Sequence, residues 1–206
     1  WYIEKRVPSL VFGKEGMNVE LSILAGNTAE TAYSYADEWM AGIPDDALLS
    51  SVNIPATHDT GTAGVVEDAI PGVSITSCQN LYYDEQLNMG ARSFDIRGNA
   101  TKDDASAADV KIVHGGELWQ CQEKDGSDLT LQSILNTSLG FLEKHKSETV
   151  ILTVKPDAGS TVGLEHAVAE FIKSNEEKVY CGGDIPSMKE ARGKIVLIRR
   201  FELTQN

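Results

Sequence analysis

The sequence predicts an α/β fold built on a parallel sheet, and three observations carry that prediction. Short strand-like runs (VNI, ARSFDI, VKIV, TVILTV and KIVLI) recur along the chain, with helical segments between most of them. The run VILTV is apolar but for one Thr, which suits a strand covered on both faces. Each of the five runs stops at a polar or charged group, and in a parallel barrel such strand ends meet at one mouth.

Taken in order, residues 1–26 alternate loosely, turn at GKEG and end at Gly26, so they read as an N-terminal extension or the tail of a preceding domain. From Asn27, NTAETAYSYADEWM offers a cap residue, early acids and helically spaced apolar positions, and Gly42 and Pro44 end that helix. The first strand, VNI, is expected to stop at Pro55, which has no N–H to give a ladder. The link between ARSFDI and VKIV is polar and too poor in apolar residues for a covering helix, so an irregular wall is expected there. Leu131, Ile134, Leu135, Leu139 and Leu142 make a helical stripe, with Lys144, His145 and Lys146 in its last turn, where cations suit the dipole. VGLEHAVAEFIKSNEE is a second amphipathic helix, and PSMKEARG a shorter one closed by Gly193.

Composition excludes several functions. The chain has 206 residues, 41% of them apolar, which is enough for a real core, and its longest apolar runs are too short to span a membrane. Its net charge of −13, from 31 acids against 18 bases, argues against nucleic acid. It also argues against simple electrostatic adsorption to an anionic membrane, where each Lys or Arg is worth about 1 kcal/mol. Lipid contact would rest on apolar side chains or on a local basic site. Cys78, Cys121 and Cys181 contain no CxxC spacing, which argues against zinc; one bridge with a free thiol and three buried thiols both fit. The first residue is Trp rather than Met, so the chain is expected to be a mature or excised piece of something longer.

The strand ends hold the chemistry. His58 and Asp59 follow the first run, Asp95 and Arg97 lie in FDIRG, and His114 ends the third before Gly115 and Gly116. Lys155, Pro156 and Asp157 end the fourth run, and Arg199 and Arg200 the fifth. A solvated strand end explains any one of these, but packing does not explain five in succession. Two histidines and an arginine at one mouth suit phosphodiester chemistry. One imidazole takes a proton from the attacking hydroxyl and the other gives one to the leaving oxygen. A guanidinium grips the non-bridging oxygens, and a carboxylate fixes a histidine tautomer or the arginine. His145 and His166 read as a helix-terminal cation and a helix-surface residue; Trp119 either rims the pocket or packs.

IPATHDT, DEQLNMGARSFDIRG, VKIVHGG, LGFLEKHKSETVILTVKPD and ARGKIVLIRRF resemble, in that order, the X domain of bacterial phosphatidylinositol-specific phospholipase C, from about Trp39 to Phe201. Where that family usually has SIPGTHDS, this chain has NIPATHDT, with Ala56 in place of glycine. The resemblance implies a distorted TIM-type (β/α) barrel over 27–206 that cleaves phosphatidylinositol or a related inositol phospholipid. The inositol 2-hydroxyl attacks phosphorus, releasing diacylglycerol and a cyclic inositol phosphate. It implies His58 as general base, His114 as general acid and Arg97 on the phosphate. Asp59 would link Arg97 with the reacting hydroxyl, and Asp95 would stand beside the arginine. Lys155, Asp157 and Arg200 fall where the family contacts inositol hydroxyls. A secreted or extracellular protein that meets a membrane surface transiently is expected.

Metal-dependent members place asparagine after the first histidine and acids where calcium sits. Here Asp59 and Arg97 stand instead, so no metal and no cofactor are expected, and activity should survive chelation. The barrel looks incomplete, because it stops after its fifth strand where the fold needs about 250 residues. Further strands are expected from the rest of the barrel, and an isolated 1–206 fragment is expected to be inactive or poorly folded. Two alternatives stand beside this. A glycerophosphodiester phosphodiesterase-like barrel wants a Glu-x-Asp metal pair that FDIR lacks, and a non-catalytic binding module would keep only the fold.

Overall fold

A computed structural model describes residues 36–66, 76–116 and 119–204. The extension at 1–26 and the first part of the helix expected from Asn27 lie outside the described residues. What is described of that helix, Ala36–Gly42, is 3-10 and kinks at Glu38.

The strands are β1 (Ala56–Thr57), β2 (Ser93–Ala100), β3 (Val110–His114), β4 (Trp119–Gln120), β5 (Val150–Gly159) and β6 (Ile195–Arg199). The helices are α1 (Tyr83–Asn88), α2 (Leu131–Lys144), α3 (Thr161–Ser174) and the single turn α4 (Met188–Ala191). They form one open sheet in the order β4-β3-β2-β5-β6, with β1 also on β2. The pairs β1–β2, β2–β5 and β5–β6 are parallel, as expected of an α/β barrel wall.

Two expectations need correction. The first strand does not stop at Pro55; it begins just after it, because Pro55 needs only its carbonyl, which accepts the N–H groups of Arg92 and Ser93. The third strand, β3, is antiparallel to β2, with Gly98 opposite Ile112 and Ala100 opposite Val110. The polar link between them has no helix, and a parallel return needs a long crossover, so the chain reverses.

Alternation on β2 buries Phe94 and Ile96 on the helix-covered face and turns Asp95 and Arg97 to the other. On the covered face, Leu131, Ile134, Leu135 and Leu142 of α2 and Leu164 of α3 join Phe94, Ile96, Leu152 and Val154 in one core. Burying each of these larger side chains stabilises by about 1.5–3 kcal/mol. The side-chain oxygens of Thr130 and Ser160 cap the starts of α2 and α3. On the opposite, inner face, Trp39, Met40, Ile43 and Leu49 pack with Ile151, Val196 and Met188. That second cluster plugs the N-terminal end of the strands and leaves the inner face open above it. Past β6 the inner face is uncovered among the described residues, and Ile198 is 47% exposed.

A buried ion pair ties the first segment to this frame. Arg92 and Glu148 are both fully buried, with Nε and Nη2 of Arg92 each 2.9 Å from Glu148 Oε2. Arg92 also donates to the carbonyls of Ala36, Asp37, Leu87 and Ala91 and lies 4.5 Å over the Phe141 ring.

Candidate active site

The site forms where the β2 ladder is interrupted. On one edge of β2, β1 pairs only with Ser93 and Phe94, and β3 only with Gly98 to Ala100. Asp95, Ile96 and Arg97 are left without a strand partner on that edge among the described residues. The turn after β1 and the end of β3 enter that gap from opposite ends.

Asp59 occupies the centre. Its backbone is left-handed (φ 46), a conformation short polar residues tolerate best, and the Thr62 backbone N–H and hydroxyl both donate to its carbonyl. This turn points the Asp59 carboxylate inward, where it is 1% exposed, and leaves the His58 ring 67% exposed. Asp59 Oδ2 lies 3.0 Å from His58 Nε2 and 2.9 Å from His114 Nδ1, while Oδ1 contacts Arg97 Nε. One carboxylate therefore touches both histidines and the arginine.

Asp95 completes the frame. Arg97 donates to its Oδ2 through Nε (3.1 Å) and Nη2 (2.8 Å), the Asp59 backbone N–H donates to it at 3.3 Å, and His58 Nδ1 is 3.2 Å away. Burial opposes ionisation of Asp95, but Arg97 and the Asp59 N–H prevail and hold its carboxyl below the ordinary value. Among the described residues Arg97 Nη1 makes no hydrogen bond.

Lys155 lies opposite Arg97 in the parallel register and shares its face. The fourth strand runs further than expected, so Lys155, Pro156 and Asp157 lie within β5 rather than beyond it. Register shifts between Gly98–Pro156 and Asn99–Ala158, so Asp157 is the extra residue of a bulge, a device that re-aims a side chain. Its carboxylate takes Lys155 Nζ at 2.8 Å and the Gly115 N–H at 2.7 Å. Gly115 (φ 63) admits no side chain here, because a Cβ would meet the Trp119 ring at 2.8 Å; Trp119 thus packs on the turn that follows His114. Arg200 Nη1 reaches within 3.9 Å of Asp95 Oδ1, whereas Arg199 donates to the Phe201 carbonyl, which favours Arg200 of the two.

All five residues predicted to be catalytic thus converge, with Lys155, Asp157 and Arg200 at the border. His145, the C-cap of α2, stacks on Phe141, and His166 faces the Ala105 carbonyl; neither enters the site. Sequence reasoning missed Cys78 and Gln79. Gln79 donates to the His58 carbonyl at 2.6 Å, and Cys78 Sγ is 3.8 Å from Asp59 Oδ2. None of the three cysteines is bridged; Cys121 is buried and Cys78 and Cys181 are exposed, so three buried thiols is also corrected. Nothing in the sequence pattern marks the loop at Cys78 as a neighbour of His58.

The family model for phosphatidylinositol-specific phospholipase C, X domain, matches residues 52–201. The 1-phosphatidylinositol phosphodiesterase of Staphylococcus aureus (strain Newman) is 30% identical over 173 residues, 80% of this chain and 51% of the relative. The enzyme of the same name from Listeria monocytogenes is 28% identical over 169 residues, 78% of this chain and 48% of the relative. Among solved structures, a phosphatidylinositol-specific phospholipase C from S. aureus gives a TM-score of 0.65 at 26% identity, covering 82% of this chain and 54% of that one. The L. monocytogenes enzyme gives 0.62 at 26% identity, covering 80% and 57%. The chain spans about half the length of the curated relatives it matches.

Proposed function

The chain belongs to the phosphatidylinositol-specific phospholipase C X-domain family, and from that premise we propose that it carries the acid–base centre of a phosphatidylinositol-cleaving enzyme. In this reading the inositol 2-hydroxyl attacks the phosphorus, and diacylglycerol and a cyclic inositol phosphate leave. The single observation that carries it is Asp59, which touches His58, His114 and Arg97 at once.

Arg97 is held on one side by Asp95 and Asp59, and its free Nη1 is available to a non-bridging phosphate oxygen as charge builds. His114 is the group for the leaving oxygen and His58 the one for the attacking hydroxyl. In the resting arrangement both ring nitrogens of His58 face carboxylates, Nε2 to Asp59 and Nδ1 to Asp95. Arg97 Nη2 also lies 3.4 Å from His58 Nδ1, so accepting a proton from the substrate requires the exposed ring to turn one nitrogen away from these partners. Lys155 and Arg200, both near the Arg97–Asp95 pair, are the candidates for inositol hydroxyls, with Asp157 holding Lys155.

We also propose a secreted or extracellular protein that meets lipid transiently; this rests on the family resemblance, and recovery of the protein from culture supernatant tests it. For the reaction, the protein carrying this chain is incubated with phosphatidylinositol vesicles and cyclic inositol phosphate is measured. Release that disappears in His58→Ala and His114→Ala supports the reading. Equal release from wild type and both variants, or none from a folded wild type, rejects it.

A further inference from the structure

We propose that His58, Asp59 and Cys78 form an inhibitory binding site for a thiophilic divalent cation, of which zinc is the type. The residues come from two segments, the turn after β1 and the loop before α1. They offer an imidazole nitrogen, a carboxylate oxygen and a sulfur, all within 4.8 Å of one another.

The two edges that share Asp59 are close to those of a tetrahedral ion. Zinc bonds of about 2.0–2.3 Å place nitrogen and oxygen donors about 3.4 Å apart, and sulfur and oxygen about 3.6 Å apart. His58 Nε2 and Asp59 Oδ2 are 3.0 Å apart, and Cys78 Sγ and Asp59 Oδ2 are 3.8 Å apart. These two edges bracket the ideal by a few tenths of an ångström. The buried Asp59 carboxylate is the fixed corner, while the exposed His58 ring and Cys78 have room to close on it. The fourth position opens to water.

Charge permits a cation despite the neighbouring arginine. Arg97 contacts the other Asp59 oxygen, Oδ1, and is matched by Asp95, so two carboxylates face one guanidinium. Calcium is a poor occupant, because it wants six to eight oxygen donors and this cluster presents one carboxylate with a nitrogen and a sulfur. Thiolate and imidazole select a softer ion. On binding, the Cys78 thiol gives its proton to solvent and the sulfur takes the metal.

The consequence is loss of the proton acceptor, since the His58 Nε2 lone pair is spent on the ion. That consequence rests on the proposed role of His58; the binding itself does not. Added zinc should therefore lower activity, and a chelator should restore it.

Cobalt(II) supplies a readout independent of turnover. Titrated into the protein, it should give the ligand-field bands of a tetrahedral site and a thiolate-to-cobalt charge-transfer band, which zinc then abolishes by displacement. The charge-transfer band should persist in Cys181→Ser and vanish in Cys78→Ser. His58→Ala should weaken binding at least by the roughly 10- to 100-fold that loss of a supporting group costs elsewhere. In the assay, zinc should suppress wild-type turnover, and Cys78→Ser should turn over normally and escape suppression. A band that survives in Cys78→Ser, or is absent from folded wild type, overturns the site. A band that behaves as expected, with turnover untouched by zinc, keeps the site and rejects its inhibitory role through His58.

Discussion

The carboxylate of Asp157 accepts the backbone N–H of Gly115 at 2.7 Å, joining the bulge of β5 to the turn that ends the strand bearing His114. Asp157 is therefore a positioning residue for His114 as well as a partner of Lys155. Replacing it with alanine should leave folding nearly intact and lower kcat about 10- to 100-fold, the equivalent of about 1.5–3 kcal/mol for a hydrogen bond to a charged group. Asp157→Asn, which still accepts from Gly115, should recover part of kcat but not the KM loss expected from freeing Lys155. Equal kcat in Asp157→Ala and wild type would remove this role.

Arg97→Lys keeps the charge and loses the fork that spans Asp95 and Asp59. Lysine cannot serve both carboxylates and a phosphate oxygen with planar geometry. Turnover should fall by roughly two to three orders of magnitude, as for loss of one preorganised donor to a developing anion. Initial rates of cyclic inositol phosphate release measure it.

The family resemblance implies an arginine where metal-dependent members hold calcium, so turnover measured in excess EDTA should match that in buffer. Strict dependence on added calcium would refute the assignment of Arg97 to the phosphate.

Acid should loosen the site in a defined direction. Asp95 and Asp157 are both held below the ordinary carboxylate value; burial opposes this in each, and Arg97 and Lys155 respectively overcome it. A depressed carboxylate stabilises the fold above its unfolded value, near 4, and that contribution is lost as pH falls through the folded values. Urea midpoints should thus be flat from neutral pH down to about 4 and decline below it. Asp95→Asn should reduce that decline; an unchanged slope would show that the Asp95 pairing adds nothing to stability.

The Arg92–Glu148 pair carries a separate expectation. Glu148→Gln or Arg92→Ala leaves a partner charged in the core and should cost about 3–5 kcal/mol in urea unfolding. Arg92→Met with Glu148→Leu should recover much of that loss, because two apolar side chains of similar volume leave no bare charge.

Much of this architecture was legible in local pattern. The α2 stripe and the parallel strands β2, β5 and β6 announce themselves by periodicity, since burial on one helix face or on both strand faces dictates residue type at each position. The five catalytic candidates were legible because motifs at strand ends gather at one rim. His114 reached that rim by an unforeseen route, on an antiparallel strand, although the helix-poor link before it already held the signal. The helix α1 escaped notice because six residues bury only Tyr83, Gln86 and Leu87, too few to show a period. Nothing in the run ARSFDI marks Arg92, and only tertiary packing reveals that its charge is paired inside with Glu148. Cys78 approaches His58 through loop folding, which has no sequence period at all.

Because β3 descends beside β2 from Ala100, the place of His114 is counted from the strand pairing and not from the loop that precedes it. The exposed part of the stretch from Thr101 to Asp109 can therefore change length without moving His114, so long as Val110 still meets Ala100 and Ala105 and Ala107 keep their places in the core. A single deletion inside Val110–His114 is a different matter. It reverses which side every following residue faces and carries the imidazole away from Asp59. The register of β3, rather than the number of residues before it, thus sets where the His114 imidazole lies.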